Sequence, residues 1–223
     1  MSATEVRAVW TDFGGVLTPP ISETFSAFCE KTGLPAQPLL TAVLKVTASY
    51  GTDDILLPID TPLVTEEEWL AQVGEALYED TGLRAEGLTS IADAWFGDRP
   101  VNKAWLDRLG QLRDRGMFVG MISNMVPTWD AHWRRMVDPA ANFDGVLLSF
   151  EAGYRKPARE IFELAVGQSG VAAEHSVFVD DLPRNVEGAL AAGWQAIHFT
   201  AAAAAIEALD RIIGDPPHSK ELQ

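Results

Sequence analysis

The stretch Val6-Arg7-Ala8-Val9-Trp10-Thr11-Asp12-Phe13-Gly14-Gly15 decides the fold. Val6 to Thr11 is a short apolar run holding Val9 and Trp10, and it stops at Asp12-Phe13-Gly14-Gly15. That reads as a buried strand entering a turn that glycine permits. A carboxylate at the end of a buried strand marks a place where chemistry could sit.

The texture changes from about Ser22 to Gly97. Phe25, Phe28 and Cys29, then Leu39, Leu40, Val43 and Leu44, then Trp69, Leu70, Val73 and Leu77 recur at helical intervals. Thr65 followed by Glu66, Glu67 and Glu68 forms a capping-box pattern, so the glutamates read as a solvated helix start and not as a metal site. Beyond Arg99-Pro100, helix and strand alternate. A helix holding Trp105, Leu106, Leu109 and Leu112 ends at Gly116, and a strand Met117 to Ile122 runs into Ser123-Asn124. A helix around Trp129 to Met136 precedes the run Gly145 to Phe150. A helix around Ala158 to Val166 precedes Ser176 to Val179, and one around Asn185 to Ala192 precedes Ala196 to Phe199. Such alternation implies right-handed crossovers and a mostly parallel α/β sheet covered on both faces. The helical block interrupts it after the first strand, giving a core of residues 1–17 and 99–223 and a helical insert of residues 18–98.

The balance of 17 Lys and Arg against 32 Asp and Glu, a net charge of −15, opposes binding to a nucleic-acid backbone or an anionic membrane. The single cysteine, Cys29, cannot form an internal disulfide and lies at helical spacing from Phe25 and Phe28, so it reads as a buried apolar residue. Met1 to Val6 lacks the pattern of a signal peptide, and no run of 18 apolar residues occurs, so the expectation is a cytoplasmic protein.

In a sheet of this kind ligands bind at the carboxyl ends of the strands. Those ends carry Asp12, then Ser123 and Asn124, then Glu151 to Lys156, then Asp180 and Asp181. Three carboxylates converging with a lysine and a serine need a cation to hold them ionised, and an all-oxygen set favours Mg²⁺. Asp12 would act as nucleophile, Ser123 as hydrogen-bond donor to the transferring group, and Lys156 as the charge clamp on the transition state.

Asp12-Phe13-Gly14-Gly15-Val16-Leu17-Thr18, Ile122-Ser123-Asn124, Lys156-Pro157 with Glu160-Ile161-Phe162, and Phe178-Val179-Asp180-Asp181 with Asn185 to Ala189 resemble, in order, the four motifs of the haloacid dehalogenase (HAD) superfamily. Within it, the opening motif is similar to that of the epoxide-hydrolase N-terminal-domain-like phosphatases. The resemblance implies a Rossmann-like core with a C1-type helical cap and Mg²⁺ dependence. It also implies an aspartyl-phosphate intermediate and a small phosphorylated substrate, in a monomer or homodimer. Carried over by position, it makes Asp12, Gly14 (through its carbonyl), Asp180 and Asp181 the metal ligands, Asp181 through water. Ser123, Asn124 and Lys156 are then the substrate-binding residues, and Asn185 supports the acidic loop.

The chain departs from the phosphatase pattern at Gly14, where a general-acid aspartate is usual. Loss of that acid is worth about 10²- to 10⁴-fold in rate and favours substrates whose leaving group needs little protonation. Two alternatives follow from the same position. Dehalogenases also lack the second aspartate, but they are metal-independent and carry small polar residues where this chain has Asp180-Asp181. An accessory or biosynthetic protein of this fold with vestigial or non-hydrolytic chemistry is the other.

Among the remaining residues, Arg155 competes with Lys156 for the clamp and Arg184 reads as a solvated charge. His132, His175, His198 and His218 lack ligand spacing. Trp69, Trp95 and Trp105 read as core, while Tyr50, Asn102, Trp129 and the loop Gly51 to Pro62 are candidates to face the cleft. Asp53, Asp54 and Asp60 in that loop are expected to be solvent-exposed.

Overall fold

Along the first strand, Ala8 and Trp10 fall on one face and Val9 on the other, and all three are fully buried, as the period of two requires for a strand covered on both sides. A computed structural model describes residues 5–85 and 91–215; the first four residues and His218 lie outside the described residues. Among the described residues five strands, β1 (Ala8–Thr11), β2 (Phe118–Ser123), β3 (Gly145–Leu148), β4 (Ser176–Asp180) and β5 (Gln195–His198), form one parallel sheet in the order β3-β2-β1-β4-β5. Val9 pairs with Val119 and Val177, and Trp10 with Gly120 and Phe178, so β1 is central.

After β1, the described residues hold α1 (Ile21–Thr32), α2 (Ala36–Ser49), α3 (Leu57–Asp60), α4 (Glu66–Thr81) and α5 (Ala92–Phe96). Then come α6 (Lys103–Asp114) before β2, α7 (Asp130–Met136) and α8 (Pro139–Asn142) before β3, and α9 (Ser149–Ala152) and α10 (Arg159–Ser169) before β4. The chain closes with α11 (Pro183–Ala191) before β5 and α12 (Ala202–Ile213) after it. On one face of the sheet Trp10, Ile122 and Phe178 pack against Ile161, Phe162 and Ala165 of α10 and Ala189 of α11. On the other, Val9, Val119, Met121, Val177 and Val179 meet Trp105, Leu109 and Leu112 of α6 and Leu209 of α12. Trp10 lies so close over Gly120 that a Cβ there would enter its ring, which fixes glycine at that strand position.

The run Gly145 to Phe150 predicts two residues too many of strand. The chain turns helical at Ser149, whose hydroxyl accepts a hydrogen bond from the Met125 amide and donates to the Asp60 carbonyl. The capping box at Thr65 forms with Glu68, as its spacing predicts. Glu66 departs from the expected solvated face: it is buried and accepts hydrogen bonds from Thr128 Oγ1 and from Trp129 Nε1 at 2.8 Å, joining α4 to the segment after β2. Trp69, Trp95 and Trp105 are core residues. No helix among the described residues is long and apolar enough to cross a membrane.

Candidate active site

Because β1 lies between β2 and β4, the residues at their carboxyl ends share one rim. Thr11 is level with Met121 and Val179, which places Asp12, Ser123 and Asp180 together, and the Asp12 amide donates to the Val179 carbonyl at 2.8 Å. The pocket above them is lined by Asp12, Gly14, Ser123, Asn124, Lys156 and Asp181, so six of the seven residues singled out from sequence line it. The seventh, Asp180, lies fully buried beneath, bound to the others.

Lys156 is the centre of this arrangement. It is 1% exposed, and its Nζ lies 2.7 Å from Asp12 Oδ1 and 2.6 Å from Asp180 Oδ2, over the ring of Phe178. Arg155, its neighbour in sequence, is no competitor, for its guanidinium is bound elsewhere. Asn124 Oδ1 accepts the Lys156 amide at 2.9 Å and Asn124 Nδ2 donates to the Lys156 carbonyl at 3.0 Å. The Asn124 side chain thus ties down the main chain of Lys156 while it lines the pocket. Asp180 Oδ1 accepts from the Leu182 amide at 2.8 Å and from Asn185 Nδ2 at 3.0 Å, so Asn185 holds the acidic loop.

Burial pushes the Asp12 carboxyl up to about 8; Lys156 opposes this, and Asp180 and Asp181 add to it. Burial, with the charge of Asp180, likewise raises Asp181 to about 6 against the pull of Lys156. Burial alone would lower the Lys156 ammonium, but Asp12 and Asp180 outweigh it and hold the group above its ordinary range. The pocket thus has more carboxylate than one lysine can neutralise.

One carboxylate oxygen from each of Asp12, Asp180 and Asp181 lies within 4.8 Å of the other two. With Mg²⁺–oxygen distances of about 2.1 Å, oxygens around one ion stand up to about 4.2 Å apart, so a small closure of the three would seat it. Asn185 Oδ1 is buried without a hydrogen-bond partner beside them, an acceptor suited to a metal-bound water. The donor set is hard oxygen throughout, and the residues present fit Mg²⁺. The Asp181 carboxylate lies against Gly15, whose φ of 79° and missing Cβ make room for it.

The loop after α2 is not solvent-exposed where its acids matter. Asp60 is fully buried and Asp54 nearly so. Arg155 binds Asp60 through Nε and Nη2 at 3.0 and 2.8 Å and Asp54 through Nη1 at 2.8 Å, while Arg184 binds Asp54 at 2.7 Å. All four line the pocket, so Arg184 is not a free solvated charge. Trp129 lines it too, whereas Tyr50 pairs with Gln72 at the surface and Asn102 caps α6 and donates to the Val16 carbonyl. His132, His175 and His198 lie apart from the acids' cluster, though His198 Nε2 is 3.0 Å from the Asp181 carbonyl.

Arg99 was legible only as the end of the insert. It enters the pocket between the rings of Phe13, Trp95 and Phe96, with Nη2 donating to the Pro19 carbonyl and Nε buried without a partner. Burial lowers it to about 10, against the pull of Asp12 and Asp181. A single arginine closing a Trp-Phe-rich helix was the available signal.

The chain is 34% identical over 107 residues to the sesquiterpene phosphatase astK of Aspergillus oryzae, covering 48% of this chain and 54% of that protein. It is 34% identical over 129 residues to a phosphoserine phosphatase of Thermus thermophilus, covering 55% and 51%. The chain therefore spans about half the length of the curated relatives it matches. A HAD family enzyme from Bacteroides thetaiotaomicron, solved in complex with magnesium and inorganic phosphate, superposes with a TM-score of 0.59 at 22% identity, covering 88% of this chain and 95% of that one. Dehalogenase structures share the fold as well, so likeness at this level carries architecture alone. Residues 6–193 match the haloacid dehalogenase-like hydrolases, and the chain belongs to that family.

Proposed function

We propose that the protein is a Mg²⁺-dependent phosphatase that moves a phosphoryl group from a small phosphomonoester to Asp12 and then to water, with residues 18–98 acting as its cap. The observation that carries this reading is the triple of Asp12, Asp180 and Asp181 around a fully buried Lys156. Names of the two curated relatives support it, because a sesquiterpene phosphatase and a phosphoserine phosphatase have the removal of phosphate in common.

Asp12, Asp180, Asp181 and the Gly14 carbonyl would hold the ion, which when bound supplies positive charge to the transferring oxygens. The protein's own groups do the rest. An Asp12 oxygen attacks phosphorus as the bond to the alcohol oxygen breaks, and water later displaces the carboxylate to give inorganic phosphate. Lys156 pulls Asp12 toward its ionised form and aims it, and with the Ser123 hydroxyl it offsets charge on the phosphoryl oxygens. Gly14 provides no proton for the departing alcohol, so esters of acidic alcohols and phenols react best.

The test is hydrolysis of p-nitrophenyl phosphate with Mg²⁺, with EDTA, and in Asp12→Asn. Turnover is expected only in the first case. Turnover that persists in EDTA or in Asp12→Asn refutes the mechanism, and metal-independent halide release from 2-chloropropionate would favour dehalogenation instead.

A further inference from the structure

The polar pocket is small. At about 70 Å³ it is several times smaller than its apolar neighbour. A second cavity of about 410 Å³ lies inside the helical insert, between α1, α2 and α4. Its walls include Phe28, Leu39, Val43, Leu70 and Val73, and among the described residues none that line it is charged. The two spaces have Ile21, Leu56, Trp95 and Trp129 in common, so they are neighbours that share an apolar wall. Ser22, Ser26 and Gln37 of the second are exposed at the surface.

We infer that this cavity receives the apolar part of the substrate, which is a phosphomonoester of a phenol or similarly acidic alcohol carrying an uncharged hydrocarbon chain. The inference rests on the phosphatase reading for the phosphate end. Three observations select this occupant. A cavity of 410 Å³ holds on the order of a dozen methylene-sized groups, taking a water's liquid volume of roughly 30 Å³ for each. Among the described residues its walls offer no charge to bind an ammonium, a carboxylate or a second phosphate, and a hydroxyl-rich sugar would lose its water there without replacement. It shares Ile21, Leu56, Trp95 and Trp129 with the phosphate pocket, which puts the two within reach of one molecule.

A series of 4-alkylphenyl phosphates tests the inference, because lengthening the chain leaves the phenol leaving group almost unchanged. The quantity read is kcat/KM for the octyl compound divided by that for the ethyl compound. Each fully buried methylene is worth about fourfold, so the ratio should exceed a hundred in the native protein. It should fall at least tenfold in Leu40→Phe and in Val73→Phe, two separate fillings of the cavity. A ratio near one, with p-nitrophenyl phosphate still hydrolysed, overturns the inference and leaves the phosphatase reading standing. Titration with octan-1-ol, followed by tryptophan fluorescence, covers the opposite case. Saturable quenching that is lost in both filled variants supports the cavity even if no phosphate ester is turned over. Absence of quenching in the native protein means a loosely packed core and overturns the inference.

Discussion

The Asp181 carboxylate occupies the volume that a Cβ on Gly15 would fill. Gly15 also stands at φ 79°, in the left-handed region. Gly15→Ala should therefore both strain the turn and displace Asp181, lowering Mg²⁺ affinity at least tenfold. Titrating the thermal midpoint with Mg²⁺ measures this; a native response in the variant would remove Asp181 from the ligand set.

The raised carboxyls give a signed dependence on pH. Asp12 is raised to about 8 and Asp181 to about 6, against an ordinary value of 3.8 for each. Between about pH 4 and pH 8 the folded metal-free protein holds protons that the unfolded chain has released, so these groups make stability fall as pH rises. Mg²⁺ competes with the same protons, and its stabilisation at fixed concentration should grow between about pH 6 and 8. Urea midpoints with and without Mg²⁺ across that range provide the check. An increment that does not change with pH would locate the ion elsewhere.

Lys156→Met should destabilise the fold by about 3–5 kcal/mol, since it leaves Asp12 and Asp180 buried against each other without their cation. Acid should restore part of the loss by protonating one of them. Asn124→Ala frees only the lysine's main chain, so it should lower kcat with a smaller effect on stability. Urea melts and steady-state kinetics on p-nitrophenyl phosphate separate the two variants.

A Cβ at Gly14 would meet nothing within 4 Å, so an aspartate fits there. Gly14→Asp should raise turnover of alkyl phosphates by about 10²-fold or more while changing aryl phosphates little. Equal gains on both classes would mean that protonation of the leaving group is not what Gly14 withholds.

Arg108 makes a structural prediction far from the pocket. It is buried on α6, with Nε and Nη2 on Asp210 Oδ1 and Nη2 also on Asp215 at 2.7 Å, and Asp215 binds Arg115 as well. Arg108→Met should cost about 3–5 kcal/mol because it strands charge beside α6, and a urea melt reads it directly.

The parallel sheet and its rim were legible because each strand ended in a residue that a buried strand does not otherwise carry: Asp12, Ser123, Asp180. Their grouping follows from topology alone once the strands are parallel. The pairs Asp54 and Asp60 with Arg155 and Arg184 were not legible, because separations of 95 to 130 residues leave no local pattern and isolated charges usually face water. Arg99 and Glu66 were missed for the same reason, each being a charged residue buried by partners remote in sequence. Asn124 shows a further limit: its place at a strand end was readable, but the direction of its amide was set by the loop carrying Lys156.

The hydrogen bond from Trp129 Nε1 to Glu66 Oε1 crosses from the segment after β2 to α4 of the insert. An indole N–H held by a carboxylate emits differently from one released to solvent, so the molecule contains its own optical gauge of whether the insert is seated. Seven tryptophans contribute to the spectrum, and subtracting that of Glu66→Gln isolates the one that reports. That signal tests whether residues 18–98 move as the proposed cap when a phosphate ester is added.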